Sequence, residues 1–257
     1  IVVQPGTYDN KCLNVISGNE NYSKTYGIIG ETSDGVQAEY IILKPQNIHI
    51  KAKHLSFEEA ASMQLVFMTS YQMLVERAKL LPIESILIYG ATSGVGSAAI
   101  QIAKDIGANI IATVGNKDKI QHALEMGADY VFLHDDKLTK NVKDITKNEG
   151  VNVVFEHIGK NTWNHSLKLL NRGGRLVTCG STTGAIVNID LRHLFMKQQS
   201  ILGSTMSSVR SYKMVMKKIE NKLYKPFVDE IFNFNNVKEA HLRMENRNHF
   251  GKIILTP

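Results

Sequence analysis

Between Ser85 and Lys104 the chain reads SILIYGATSGVGSAAIQIAK, and Gly90, Gly94 and Gly96 stand where they could hold a phosphate. A helix that begins in a glycine-rich turn offers backbone N–H groups without intrahelical partners and the positive end of its dipole. The missing side chains let an anion reach the main chain. Thr92, Ser93 and Val95 complete the turn. The spacing G-x-x-x-G-x-G is one residue longer than the common G-x-G-x-x-G fingerprint, so the weight rests on its setting. An ordinary strand-to-helix turn of a parallel α/β protein is the plainer alternative.

The setting is a βαβ unit. Ile86 to Tyr89 reads as a buried strand, the helix from Ser97 to Ile106 stops at Gly107, and Asn109 to Val114 is a second apolar strand. The alternation continues with a helix over Lys117 to Met126, a strand over Tyr130 to Leu133, a helix over Leu138 to Thr146 and a strand over Val151 to Glu156. A helix over Trp163 to Leu170, a strand over Arg175 to Cys179, a helix over Leu191 to Lys197 and a strand over Ser200 to Ser204 follow. Strands alternating with helices predict a doubly wound parallel α/β sheet.

The flanks differ. From Ile1 to about Lys53 the pattern is loop and short strand, with a β-rich stretch from Gln37 to Leu43. Ser56 and Glu59 match a capping box, which starts a helix. A second helix is expected from Val66 to about Lys79, with Leu74, Val75 and Ala78 on its inner face, before Pro82 breaks it. The tail adds helices over Val209 to Asn221 and Val237 to Arg247, and strands near Phe227 to Phe232 and Ile253 to Leu255.

Composition limits the function classes. At 257 residues with 43% hydrophobic content the chain can bury one large or two moderate cores. The net charge of +6 is scattered over helix faces and loops, without the basic stripe interleaved with aromatics that nucleic acid requires. No apolar run is long enough for a bilayer and IVVQPGTYDN is no signal peptide, which points to the cytoplasm and away from membranes. Cys12 and Cys179 are too few and too far apart for a disulfide scaffold or a metal cluster. IVVQPG reads like the middle of a domain, so material upstream of Ile1 is expected.

The order AEYIILKP, LSFEEAASMQLVFMTSYQML, GATSGVGSAAIQIAK, MGADYVF, GGRLVTCG, SILGSTM and GKIIL resembles the medium-chain dehydrogenase/reductase superfamily from end to end. Within it the chain is most similar to the zinc-type alcohol dehydrogenase and NADPH:quinone oxidoreductase group. The resemblance implies a GroES-like β-rich catalytic domain from residues 1–65 and 207–257, lacking its amino-terminal part, with a Rossmann domain inserted at 66–206. It implies that Thr69 lies against a nicotinamide and that Gly90 to Gly96 form the pyrophosphate turn. His157, Ile158 and Gly159 would pass over the riboses. Cys179, Gly180 and Ser181, with Ser204, Thr205 and Met206, would bind the carboxamide and close the nicotinamide pocket. Each residue has a plainer role as well: Thr69 as a helix residue bonded to its preceding turn, His157 as a half-buried loop histidine and not a base, Cys179 as a small residue at the core edge.

Departures from the pattern sharpen the expectation. The four cysteine positions of the structural zinc loop become Asp9, Cys12, Val15 and Ser23, and the catalytic ligand four residues before Thr69 becomes Leu65. Valine and leucine cannot bind metal, so neither zinc site is expected, and His49 and His54 are poor substitutes. At the end of the second nucleotide-fold strand Val114 replaces the acid that contacts an NAD ribose. Gly115, Asn116 and Lys117 or Lys119 could then receive a 2′-phosphate, which favours NADP(H) over NAD(H). The leading expectation is a zinc-independent NADPH reductase of a quinone, enone or carbonyl, with no identifiable general acid. A zinc alcohol dehydrogenase with atypical ligands and a nucleotide-binding protein without turnover remain as alternatives. Relatives pair through the edge strand around Ile201 to Ser204, so a homodimer or homotetramer is expected.

Overall fold

Aliphatic runs without polar alternation, such as Ser85–Ile88, Asn109–Val114 and Val151–Glu156, have to be covered on both faces, which a parallel sheet between two helix layers provides. The computed structural model describes residues 1–257. They form two units, residues 1–69 with 206–257, and residues 70–205.

The first unit holds β1 (Val2–Val3), β2 (Gly6–Thr7), α1 (Leu13–Ile16), β3 (Gly27–Ile28) and β4 (Ile48–His49), with β1 paired to β4 and β2 to β3 in antiparallel fashion. α2 (Phe57–Tyr71) begins on the expected capping box: Glu59 N–H donates to Ser56 Oγ at 3.1 Å and Ser56 N–H donates to Glu59 Oε2 at 2.8 Å. The stretch from Gln37 to Leu43 forms no strand. Its composition suits a sheet, but a strand exists only when its backbone groups pair. No other segment of the 257 residues pairs with it, and Tyr40 and Ile42 stand exposed.

The second helix expected from Val66 is not a separate element. α2 runs through it without a break and widens into a π-helix over Gln72–Arg77, because neither glycine nor proline interrupts the chain between Ser56 and Leu81. Met73, Leu74 and Ala78 are fully buried, Gln72 is buried and Val75 only partly, so burial here takes consecutive residues and is wider than the expected single face of Leu74, Val75 and Ala78.

The second unit continues with β5 (Ser85–Ile88), α3 (Gly94–Ile106), β6 (Asn109–Val114), α4 (Ile120–Met126), β7 (Tyr130–Leu133), α5 (Leu138–Ile145) and β8 (Val151–Glu156). α6 (Trp163–Leu169), β9 (Leu170–Thr178), α7 (Leu191–Lys197) and β10 (Ser200–Gly203) complete it. Its six strands pair in parallel in the order β10-β9-β8-β5-β6-β7. This is the Rossmann order, with the winding reversed between β5 and β8. Leu87, Ile111, Val154 and Leu176 pack with Leu138, Val142, Trp163 and Leu167 on one face, and α3 covers β5 and β6 on the other. The Arg175 guanidinium holds both oxygens of Glu84, at 3.0 and 2.6 Å, and donates to Ala78 O at 2.7 Å, which ties β9 to the end of the π-helix and the start of β5.

The tail returns to the first unit with α8 (Val209–Glu220), β11 (Val228–Asn233), α9 (Val237–Glu245) and β12 (Lys252–Thr256), and β11 pairs with β12 in parallel. Tyr212 and Met206 pack there on Met68. No helix is long and apolar enough to cross a membrane.

Candidate functional site

In an open parallel sheet, ligands bind beyond the carboxyl ends of the strands where the winding reverses, because loops diverge there and leave a crevice. Here those ends are Tyr89-Gly90 after β5 and His157 after β8. Gly90 has φ +59°, a left-handed conformation, and its N–H donates to Thr113 Oγ1 at 3.3 Å while Ala91 N–H donates to Thr113 O at 2.8 Å. Ser93 caps α3, its Oγ accepting the Gly96 N–H at 3.0 Å. That leaves the N–H groups of Gly94 and Val95 without an acceptor in the chain. Gly96 is required by space, since a Cβ there would sit 2.1 Å from Gly90 O. Turn and helix can touch only at a glycine.

His157 closes the side of this turn. Its Nε2 lies 2.9 Å from Tyr89 O, and because a carbonyl can only accept, Nε2 carries the proton. The ring is 3.2 Å from where a Gly90 Cβ would be. Burial lowers its pKa, so the imidazole is neutral near neutral pH.

The segment carrying His157, Ile158 and Gly159 is held from below by Glu156, which sequence reasoning missed. Its fully buried carboxylate accepts from the N–H of Ile158 at 2.7 Å and of Gly159 at 3.1 Å, from Thr162 Oγ1 at 3.0 Å and from Ser166 Oγ at 2.7 Å. An acid ending a buried apolar run, with hydroxyls six and ten residues on, was the available signal.

The loop after β9 runs alongside. Thr183 N–H and Oγ1 both donate to Ile158 O at 2.8 Å, Thr182 Oγ1 donates to His157 O at 3.1 Å, and Lys160 N–H donates to Gly184 O at 3.1 Å. The structure thus brings Cys179, Gly180 and Ser181 beside His157 to Gly159, with Thr182 and Thr183 as the unforeseen connectors. Burial pushes the Cys179 thiol up to about 11, so it is no nucleophile at neutral pH. Cys12 is the opposite case: its thiol contacts Ser23 Oγ at 3.2 Å, and that bond lowers its pKa. Iodoacetamide at pH 7.5 is therefore expected to label Cys12 well before Cys179, as peptide mass spectrometry would show; faster labelling of Cys179 would contradict the burial argument.

At the end of β6, Val114 points into the core at 1% exposure, while the space around Gly115 is open. Asn116 Oδ1 accepts the Lys119 N–H at 3.2 Å, and Lys117 is exposed. Ser204 N–H donates to Thr178 O at 2.9 Å, and Ser204 Oγ is buried without a partner. Thr205 is exposed.

Within the first unit, Thr69 Oγ1 lies 4.0 Å from Met206 Sδ instead of bonding to its preceding turn, and Met206 has φ +49°, strained for a side chain of its kind. Leu65 lines an apolar hollow of about 490 Å³ with Val36, Ile41, Phe57, Ala61 and Ile254. The loop bearing Asp9, Cys12, Val15 and Ser23 is held by side-chain bonds, Ser23 Oγ to Thr25 Oγ1 at 2.9 Å and Asp9 N–H to Thr25 Oγ1 at 3.1 Å. His49 packs on Tyr212 with ring centroids 4.7 Å apart. No three His, Cys, Asp or Glu side chains converge as a metal site would need.

Residues 94–221 match the zinc-binding dehydrogenase family. The chain is 30% identical to the crotonyl-CoA carboxylase/reductase of Cereibacter sphaeroides over 90% of its own length and 60% of that protein. It is 31% identical to quinone oxidoreductase 1 of Escherichia coli over 79% of its length and 66% of that protein. Among solved structures, an NAD-dependent alcohol dehydrogenase superimposes with a TM-score of 0.95 at 36% identity, covering 99% of this chain and 75% of that one. The chain spans 54–60% of the length of the three crotonyl-CoA reductases it matches. With the Rossmann strand order, the glycine turn at the reversal point and these relatives in agreement, the chain belongs to the medium-chain dehydrogenase/reductase superfamily.

Proposed function

We propose that this chain is the nucleotide-binding core of a cytoplasmic, NADP(H)-dependent, zinc-independent oxidoreductase that reduces a quinone, enone or carbonyl. The observation that carries this reading is the crevice at the ends of β5 and β8, where two free N–H groups, a left-handed glycine and a glycine without room for a side chain meet. These residues fit a pyrophosphate. The nicotinamide supplies the hydride when bound. The protein orients it: Gly94 and Val95 N–H groups receive phosphate, Thr92 and Ser93 shape the turn, and the orphaned Ser204 Oγ is available to the carboxamide, beside Thr205. Thr69 Oγ1 and Met206 Sδ lie 4.0 Å apart in the first unit, at the two positions that the family resemblance assigns to the nicotinamide.

The choice of NADP(H) rests on the open end of β6, where Val114 puts no carboxylate against a 2′-phosphate and Gly115 and Asn116 with Lys117 or Lys119 suit one. The alcohol dehydrogenase relative described as NAD-dependent favours NAD(H) as the second reading. The zinc-free reading is supported by Leu65, whose side chain offers only carbon. β10 is an edge strand, and Leu191, Phe195 and Met196 of α7 are exposed, which supports a homodimer or homotetramer formed across β10.

Fluorescence titration with NADPH and NADH tests the nucleotide choice. NADPH should bind more tightly to the wild type, and Gly115→Asp should weaken it by about 10–100-fold, about 1.4–2.7 kcal/mol, with little change for NADH. Tighter wild-type binding of NADH would favour the second reading. Activity on a quinone, enone and aldehyde panel should survive a chelator; its loss would sink the zinc-free assignment, and turnover of no acceptor would favour a nucleotide-binding protein.

A further inference from the structure

His157 is a half-buried imidazole at the reversal point with one nitrogen spoken for. Nε2 gives its proton to Tyr89 O at 2.9 Å, and Nδ1 makes no hydrogen bond within the chain. In the neutral ring Nδ1 is therefore an acceptor, on a ring whose Cε1–Nε2 edge lies 3.2 Å from where a Gly90 Cβ would be, next to the turn that offers the Gly94 and Val95 N–H groups to an anion. An acceptor lone pair facing phosphate oxygens is repulsive, and protonation turns it into a donor.

We propose that His157 takes up one proton from solvent when a dinucleotide enters the crevice, and that the resulting Nδ1–H donates to a pyrophosphate oxygen. This rests on the dinucleotide reading above. In the free protein burial keeps the ring neutral, and two phosphate charges beside it favour the imidazolium. The surroundings permit the change. From β8, Glu156 is the charged group acting on the ring, and its carboxylate already favours the protonated form. From β9, Cys179 stays a neutral thiol. From β5, Tyr89 stays protonated, its hydroxyl raised by burial, and the start of α3 contributes Ser93 but no charge. Lys160, on the same loop as His157, lies against Gly184.

The sign follows from linkage. The pKa of His157 is higher in the complex than in the free protein, so affinity is greatest at low pH and falls as pH rises from the free value through the bound value. One proton changes Kd by at most about tenfold per pH unit in that interval.

Isothermal titration calorimetry with NADH, in two buffers of different ionisation enthalpy, measures the uptake directly. NADH is the better probe because it lacks the 2′-phosphate of NADPH, which itself titrates near pH ~6. The wild type should absorb protons on binding and His157→Gln should absorb none, with a Kd that is flat with pH. Should that variant fold poorly, the His157 Cε1–H resonance of the wild type, titrated by NMR with and without NADH, reads the same pKa rise. Binding of NADH without proton uptake, or uptake that survives H157Q, would overturn the proposal. Absence of binding of either dinucleotide would instead overturn the reading on which it rests.

Discussion

Gly96→Ala is expected to destabilise the second unit by about 3 kcal/mol and to raise the Kd for NADPH by about 100-fold or more. The added Cβ would meet the Gly90 carbonyl oxygen at 2.1 Å, and this is backbone against backbone, with no rotamer to relieve it. The first turn of α3 must therefore move away from the Gly90 turn. Both the Ser93 cap on the Gly96 N–H and the presentation of the Gly94 and Val95 N–H groups then go. Gly90→Ala should be milder, about 1–2 kcal/mol, because its new Cβ meets a His157 ring edge at 3.2 Å and its main cost is the left-handed φ. Urea unfolding and NADPH titration of both variants check the order. If G96A bound NADPH like the wild type, the turn would not be the phosphate cradle.

Glu156→Ala should lower stability by about 3–5 kcal/mol, the largest loss expected from any single polar side chain in this crevice. Four donors converge on its carboxylate, two of them backbone groups of the His157 segment and two the Thr162 and Ser166 hydroxyls, all in a fully buried place. Removing the acceptor strands the Ile158 and Gly159 N–H groups, whereas the Thr162 and Ser166 hydroxyls can turn to Gly159 O at 3.1 Å and Thr162 O at 2.9 Å. Glu156→Gln keeps the volume and one acceptor oxygen but turns an amide N–H₂ toward a donor, so its cost should be smaller, about 2 kcal/mol. Denaturation curves that gave both variants the same loss would show that the charge, which both remove, and not donor satisfaction holds the segment. Because Glu156 anchors the loop that places His157, both variants should also weaken dinucleotide binding.

Much of this site was readable from residues close in sequence. The glycine turn, the Ser56 and Glu59 capping box and the alternation of apolar runs with helices each depend on contacts within a few positions, and the parallel sheet follows from runs that need cover on both faces. The segment from Gln37 to Leu43 shows where that kind of reading stops. Its β-rich composition states a preference, whereas a strand needs a partner whose location no local pattern reveals. The same holds for the joined α2 and π-helix. There the absence of a breaker was visible, but the burial of Gln72 and Met73 beside Leu74, which depends on what packs around the helix on more than one side, was not.

By itself the sequence determined the fold class, through the periodicity of its apolar runs, and the family, through its resemblance to known relatives; the glycine turn from Gly90 to Gly96 was legible in its short spacing. Tertiary structure alone decided why each glycine is there, that Gly115 and not Val114 is open at the end of β6, and that Glu156 is the anchor beneath His157. It also decided which nitrogen of His157 is free. Each of these depends on the approach of segments far apart in sequence, His157 to Tyr89 across 68 residues and Gly90 to Thr113 across 23. Hydrogen-bond direction and steric room act over a few ångströms, and only the folded chain sets those distances.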